Sequence, residues 1–298
     1  MRWTRRKGTD DLQDVRGSGG SPMTGGLPIP IGKGAGGIVG ILIALAVLFF
    51  GGQAITGGDG TGFQVDPLDP VPSGSTAGSG LDNAPDPEAE QVEFMRFVIG
   101  DVNDFWQDVF QRAGRQYQRV PLVLFRSAVG TGCGAASSAT GPFYCPADNK
   151  AYLDLGFFQE LSRRFGAPGD FAQAYVIAHE VGHHIQTMLG TEGQVRRESQ
   201  QNPDDANELS IRLELQADCL AGVWAHSAYE QGQLEQGDVE EGLGAAAAVG
   251  DDRIQEATTG RVNPESWTHG SAAQRQSWFN KGFESGDGNE CDTFSGDV

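Results

Sequence analysis

A chain of 298 residues with 44 glycines, 14 prolines and 38% apolar residues is long enough for one large domain or two small ones, yet too rich in turn formers for all of it to pack. Residues 1–33 carry six Lys or Arg against Asp10, Asp11 and Asp14, a net of +3, so the total of −19 leaves −22 for the rest. A body this acidic repels phosphate backbones and excludes nucleic acid as the expected partner; the surplus reads as a solubilising surface.

In chain order, the basic arm of residues 1–33 is followed by an uncharged run at residues 34–52, GAGGIVGILIALAVLFFGG, apolar from Ile38 to Phe50. Its length approaches that of a bilayer-crossing helix. Basic residues precede it and acidic ones follow, so the positive-inside rule places the N-terminus in the cytoplasm and the larger part of the chain outside, held by a single-pass membrane anchor. A cleaved signal peptide would match the apolar length but not the long arm before it. A core helix would have no core to join in such Gly-rich surroundings. Residues 53–88, including DPLDPVPSGSTAGSG, hold too little apolar surface to offset their ordering entropy and read as a flexible linker. The folded domain is therefore expected over residues 89–298, outside the cytoplasm at the cell envelope.

Within that domain, Val92, Met95, Phe97 or Val98, Val102, Phe105 or Trp106, and Val109 recur at helical spacing and end near Gly114. VPLVLF is a short apolar run that reads as a strand, and GPFYCPADNKAYLDLGFF as two short strands around a PADN turn. Helices are expected over residues 158–165 and 170–189, the second with Asp170 as N-cap. A polar loop containing NPDD leads to a helix over residues 206–229. Two shorter helices follow, the first opening at Asp238 with Glu241 in a capping box, and a last helix starts near Ser271. Early strands outnumbered by helices point to an α+β fold rather than a doubly wound parallel sheet. Cys133, Cys145, Cys219 and Cys291, with no CxxC pair among them, read as two disulfides of an oxidising compartment. Three pairings are open; the most local joins Cys133 to Cys145 and Cys219 to Cys291.

The chemistry concentrates in AYVIAHEVGHHIQTM, which holds three of the chain's five histidines. His179 and His183 are one helical turn apart, so both rings project from one face and can share a metal. Glu180 follows the first of them. This is the HExxH pattern, in which zinc acidifies a water and the glutamate takes its proton. The longer form with a third histidine is absent, because its two further positions are Gln186 and Leu189. A catalytic zinc takes three protein ligands and keeps one position open. On the helix over 206–229, ELQAD places Glu214 and Asp218 on one face. Glu214 is the expected third ligand, and Asp218 the acceptor for the far N–H of a ligating histidine. The bland alternative, two ordinary surface carboxylates, fits poorly with neighbours as apolar as Leu213, Leu215 and Leu220. His184 points to another face and is assigned to packing or hydrogen bonding, and His226 has no partner that the sequence names. His269 is read as an oxyanion stabiliser or as a helix-capping residue, with Arg275 and Tyr175 as further groups able to reach a developing oxyanion.

Four stretches, AYVIAHEVGHHIQ, GPFYCPADNKAYLDLGFF, ELQADCLAGVWA and THGSAAQRQSWF, together resemble the bacterial neutral zinc metallopeptidases of the YpfJ type. The resemblance spans about residues 92–294. It implies a zincin-like fold, mainly helical with a small sheet containing antiparallel strands, and Zn2+ on His179, His183 and Glu214 with Glu180 as base. The expected function is then a membrane-anchored zinc peptidase, an endopeptidase acting on peptide or protein substrates, with part of residues 143–155 pairing with an extended substrate. The alternative is a catalytically inactive module of the cell envelope that keeps zinc for binding or scaffolding. The sequence is silent on substrate preference and oligomeric state.

Overall fold

The computed structural model describes residues 1–5, 11–17 and 86–298. Two β-strands, β2 (Leu122–Phe125), apolar throughout, and β6 (Lys150–Asp154), apolar over its three central residues, lie side by side in parallel at the centre of a four-stranded sheet. Unbroken burial on both faces is what such runs are suited to. The outer strands are β1 (Leu12–Asp14), parallel to β2, and β5 (Phe143–Cys145), antiparallel to β6. The PADN turn thus joins β5 to β6 as expected. A separate hairpin, β3 (Ala128–Thr131) and β4 (Gly134–Ser137), was not expected, since its Gly-rich sequence carries no alternating pattern.

The helices are α1 (Ala89–Arg112), α2 (Gly156–Phe165), α3 (Asp170–Leu189), α4 (Thr191–Gln201), α5 (Ala206–Glu230), α6 (Asp238–Ala248), α7 (Asp251–Thr259) and α8 (Ala272–Ser285). The architecture is a mostly helical α+β fold, consistent with a zincin-like domain. Helices α3 and α5 bury most of their residues, polar ones included, because both run through the core. They approach closely at Gly182, where an added Cβ would stand 3.0 Å from the backbone of Ala217. Helix α8 crosses α5 still more tightly, since a Cβ on Gly282 would overlap the Cys219 carbonyl at 1.9 Å. Helix α4 was missed because TEGQVRRESQQ buries only Val195 and so lacks an apolar period. Two expected caps are corrected. Asp170 and Asp238 are first helical residues behind Gly169 and Gly237, and Glu241 accepts the Phe171 N–H instead of closing a capping box. Ser271 does cap α8, in a capping box with Gln274.

The disulfides are Cys133–Cys145, which ties the hairpin tip to β5, and Cys219–Cys291, which ties α5 to the C-terminal tail. The apolar run at residues 34–52 and the linker up to residue 85 lie outside the described residues. Among the described residues no helix is long and apolar enough to cross a membrane. Residues 1–5 and 11–17, expected as an arm apart from the domain, pack upon it. Leu12 and Asp14 pair with β2, Trp3 lies against Phe94 and Phe97, and Arg16 binds Asp86 and Glu88. The α-ammonium of Met1 is 2.9 Å from Asp170 and 3.2 Å from Asp238. The physical reason is the exposed backbone edge that β2 would otherwise present.

Candidate metal and catalytic site

The fourfold spacing on α3 sets the His179 and His183 rings 4.8 Å apart and nearly perpendicular. Close approach of α5 at Gly182 brings Glu214 in front of both. Its Oε2 is 3.2 Å from His179 Nε2 and its Oε1 3.6 Å from His183 Nε2. One ligand atom from each of the three residues lies within 4.8 Å of the others. Lone-pair atoms converging in a buried place call for a cation, either a proton or a metal. Burial opposes charge on Glu214, yet the histidines beside it, His183 foremost, hold its carboxyl well below the usual range. Burial likewise opposes charge on His179, but Asp218 and Glu214 override it and push the ring up to about 9.

The opposite ring nitrogens are already engaged. His179 Nδ1–H donates to Asp218 Oδ1 at 2.8 Å, and His183 Nδ1–H to Gln186 Oε1 at 2.9 Å. Because the Nδ1–H groups are held from behind, it is the Nε2 atoms that face Glu214; a metal ion there would replace the proton that His179 Nε2 shares with Glu214, which leaves the donor set a tetrahedral zinc site needs. The donor set fits zinc on these grounds.

Asp218 is fully buried and is held from behind by two groups that the sequence offered as oxyanion partners. The Tyr175 hydroxyl donates to Oδ1, and Arg275 donates from Nε to Oδ2 at 2.8 Å and from Nη2 to Oδ1 at 2.9 Å. Those expectations for Tyr175 and Arg275 are therefore corrected: the Tyr175 hydroxyl and Arg275 Nε and Nη2 are engaged by Asp218, and Arg275 Nη1 by the Val249 carbonyl at 3.2 Å. Burial opposes ionisation of Asp218, but Arg275 and His179 keep its carboxyl below the usual range.

Glu180 is buried without an ion-pair partner among the described residues, and burial pushes its carboxyl above the ordinary range. Together with His179, His183 and Glu214 it lines a cavity of about 740 Å³. Phe143 and Tyr144 of β5, Ala135 and Ala136 of the hairpin and Ile254 of α7 form its walls. His269 opens onto the same cavity. Its Nδ1 lies 3.1 Å from Asp251 Oδ1, while Asp251 Oδ2 accepts the backbone N–H groups of Thr268, His269 and Gly270. The capping alternative for His269 is set aside, since Ser271 caps α8. Asp251 went unnoticed in the sequence because its partner lies 18 residues away across a loop.

The remaining histidines are structural. His184, kept neutral by burial, donates from Nε2 to the Gln118 carbonyl and faces the Tyr144 hydroxyl at 3.0 Å, so it joins α3 to β5. His226 donates to the Phe283 carbonyl.

A His–His–Glu donor set on two packed helices, beside a buried glutamate and an apolar cleft, is the arrangement of a zinc metallopeptidase. The chain belongs to the family described as "Putative neutral zinc metallopeptidase", which matches residues 1–294. It is 46% identical to the uncharacterized protein YpfJ of Escherichia coli (strain K12) over 296 residues, 99% of each chain. It is also 54% identical to the uncharacterized protein Rv2575 of Mycobacterium tuberculosis over 190 residues, 60% of this chain and 64% of that one. No solved structure matches the chain.

Proposed function

We propose that the domain is a zinc-dependent endopeptidase, with zinc on His179 Nε2, His183 Nε2 and the Glu214 carboxylate. The observation that carries this is the convergence of those ligand atoms within 4.8 Å at the base of the cleft that Glu180 also lines. When bound, zinc supplies an acidified water and a Lewis acid for the scissile carbonyl. Glu180 takes the proton of the attacking water and passes it to the leaving amine. His269, oriented by Asp251, donates its Nε2–H toward the oxyanion. The outer edge of β5 is free of a strand partner among the described residues, which suits an extended substrate backbone.

The two disulfides support a workplace outside the cytoplasm, and attachment to a membrane through residues 34–52 is part of the proposal. Because β1 pairs with β2, residues 11–17 lie on the domain's side. A single span through residues 34–52 would put residues 11–17 and the domain on opposite sides, so the membrane-attached form requires β1 to leave the sheet.

The full chain is expected to purify with about one zinc and to cleave an unfolded protein substrate. A chelator should abolish the cleavage and added zinc should restore it. Cleavage that survives metal removal would sink the proposal, and zinc without cleavage would leave the inactive zinc-containing module as the reading. His269→Ala should lower kcat by about 10²–10³-fold, as removal of an oxyanion donor does, with zinc content unchanged. A kcat within a factor of about three of the parent would remove His269 from the mechanism.

A further inference from the structure

Gln186 is fully buried three residues beyond His183, where the HExxH pattern asks for nothing. Its side chain uses its hydrogen-bonding groups on both sides. Nε2 donates to the Leu213 carbonyl at 2.7 Å and to Gln216 Oε1 at 3.2 Å, while Oε1 accepts from His183 Nδ1 at 2.9 Å. Gln216 in turn donates from Nε2 to the Cys291 carbonyl at 2.9 Å.

The direction of this chain of bonds is fixed by its ends. A backbone carbonyl can only accept, so the Cys291 carbonyl turns the NH2 of Gln216 toward itself and leaves Gln216 Oε1 facing Gln186. Gln216 Oε1 and the Leu213 carbonyl then both demand the NH2 of Gln186. Gln186 Oε1 has one orientation left, toward His183, and an acceptor there requires the proton on Nδ1. The His183 Nε2 lone pair is thereby directed at Glu214. Leu213 immediately precedes Glu214, so the same amide that orients a ligand on α3 also holds the register of the ligand on α5.

We infer that Gln186 is the positioning residue for His183, set through Gln216 by the C-terminal tail that the Cys219–Cys291 disulfide fastens to α5. The inference rests on the metal reading given above. It makes the two histidines unequal, since His179 donates to a carboxylate and His183 to a neutral amide.

The test is zinc affinity of the full chain, measured by competition with a chromophoric chelator, together with 15N–1H spectra of the histidine rings in the zinc-loaded parent. Gln186→Met, which keeps the volume and removes both hydrogen-bonding functions, should weaken zinc binding by about 10- to 100-fold. Gln216→Leu should weaken it in the same direction but less. In the parent, His183 should carry its proton on Nδ1, a readout that needs no variant to fold. A folded Gln186→Met chain that binds zinc as tightly as the parent overturns the inference alone. So does a His183 protonated on Nε2 in the zinc-loaded protein. A parent chain that binds no zinc overturns the metal reading and this inference together.

Discussion

Glu180→Gln should leave zinc bound and reduce hydrolysis by at least about 10²–10⁴-fold, the usual contribution of a positioned acid–base group. The substitution is nearly isosteric, and Glu180 takes part in no ion pair of the described residues. Neither the His–His–Glu set nor the packing of α3 therefore has reason to move. Burial already disfavours the Glu180 carboxylate, so an uncharged amide there should leave the fold as stable as before or slightly more so. What the amide cannot do is accept a proton from water. Measurement of kcat/KM beside zinc content and thermal midpoint separates these effects. Hydrolysis at more than about a tenth of the parent rate, with zinc present, would remove the general base from the proposed mechanism.

Arg275→Met should destabilise the zinc-free protein by about 3–5 kcal/mol, the cost of breaking a buried ion pair from one side. Arg275 is only 2% exposed and makes two bonds to the fully buried Asp218, with Glu214 Oε2 a further 3.8 Å away. Without the guanidinium, the buried carboxylates of Asp218 and Glu214 keep only the two histidine rings and the Tyr175 hydroxyl as partners. The pH dependence follows from the depressed Asp218 carboxyl. A group whose pKa is lowered by folding stabilises above its unfolded value, about 3.9, and that contribution is lost as pH falls through the folded value. The gap between parent and variant should therefore be full at pH 7 and close on acidification below the ordinary aspartate range. Adding Asp218→Asn to Arg275→Met should recover part of the loss. Urea unfolding at neutral and acid pH measures all three points. A neutral-pH gap under about 1 kcal/mol would mean that Arg275 does not hold the site together.

How much of this site was legible depends on how far apart in the chain its parts stand. His179 with His183, and Glu214 with Asp218, are each one helical turn apart, a spacing that places side chains on one face whatever the rest of the fold does. The apolar neighbours of both pairs announced that these faces are buried. Gln186 also obeys that local rule, three residues after His183, but it had counted only as the absence of a longer histidine motif. A buried polar residue on the ligand face was the signal that could have found it. Arg275, 57 residues from Asp218, and Asp251, 18 residues before His269, follow no spacing rule. Their reach was open to several partners until packing chose one.

Sequence by itself determined the two helices α3 and α5, the HExxH spacing on the first, the Glu214–Asp218 spacing on the second and the apolar strand Leu122–Phe125, because each is set by periodicity or proximity along the chain; it named the Cys133–Cys145 bridge only as the most local of three pairings. Tertiary structure decided which nitrogen of each histidine faces Glu214, that Tyr175 and Arg275 serve Asp218 rather than an oxyanion, and that Leu12–Asp14 belong to the sheet. Each of those outcomes is the satisfaction of a buried charge, a buried hydrogen-bonding group or an open strand edge by whichever group the fold brings within reach. Such a demand is visible only once the chain has closed around it.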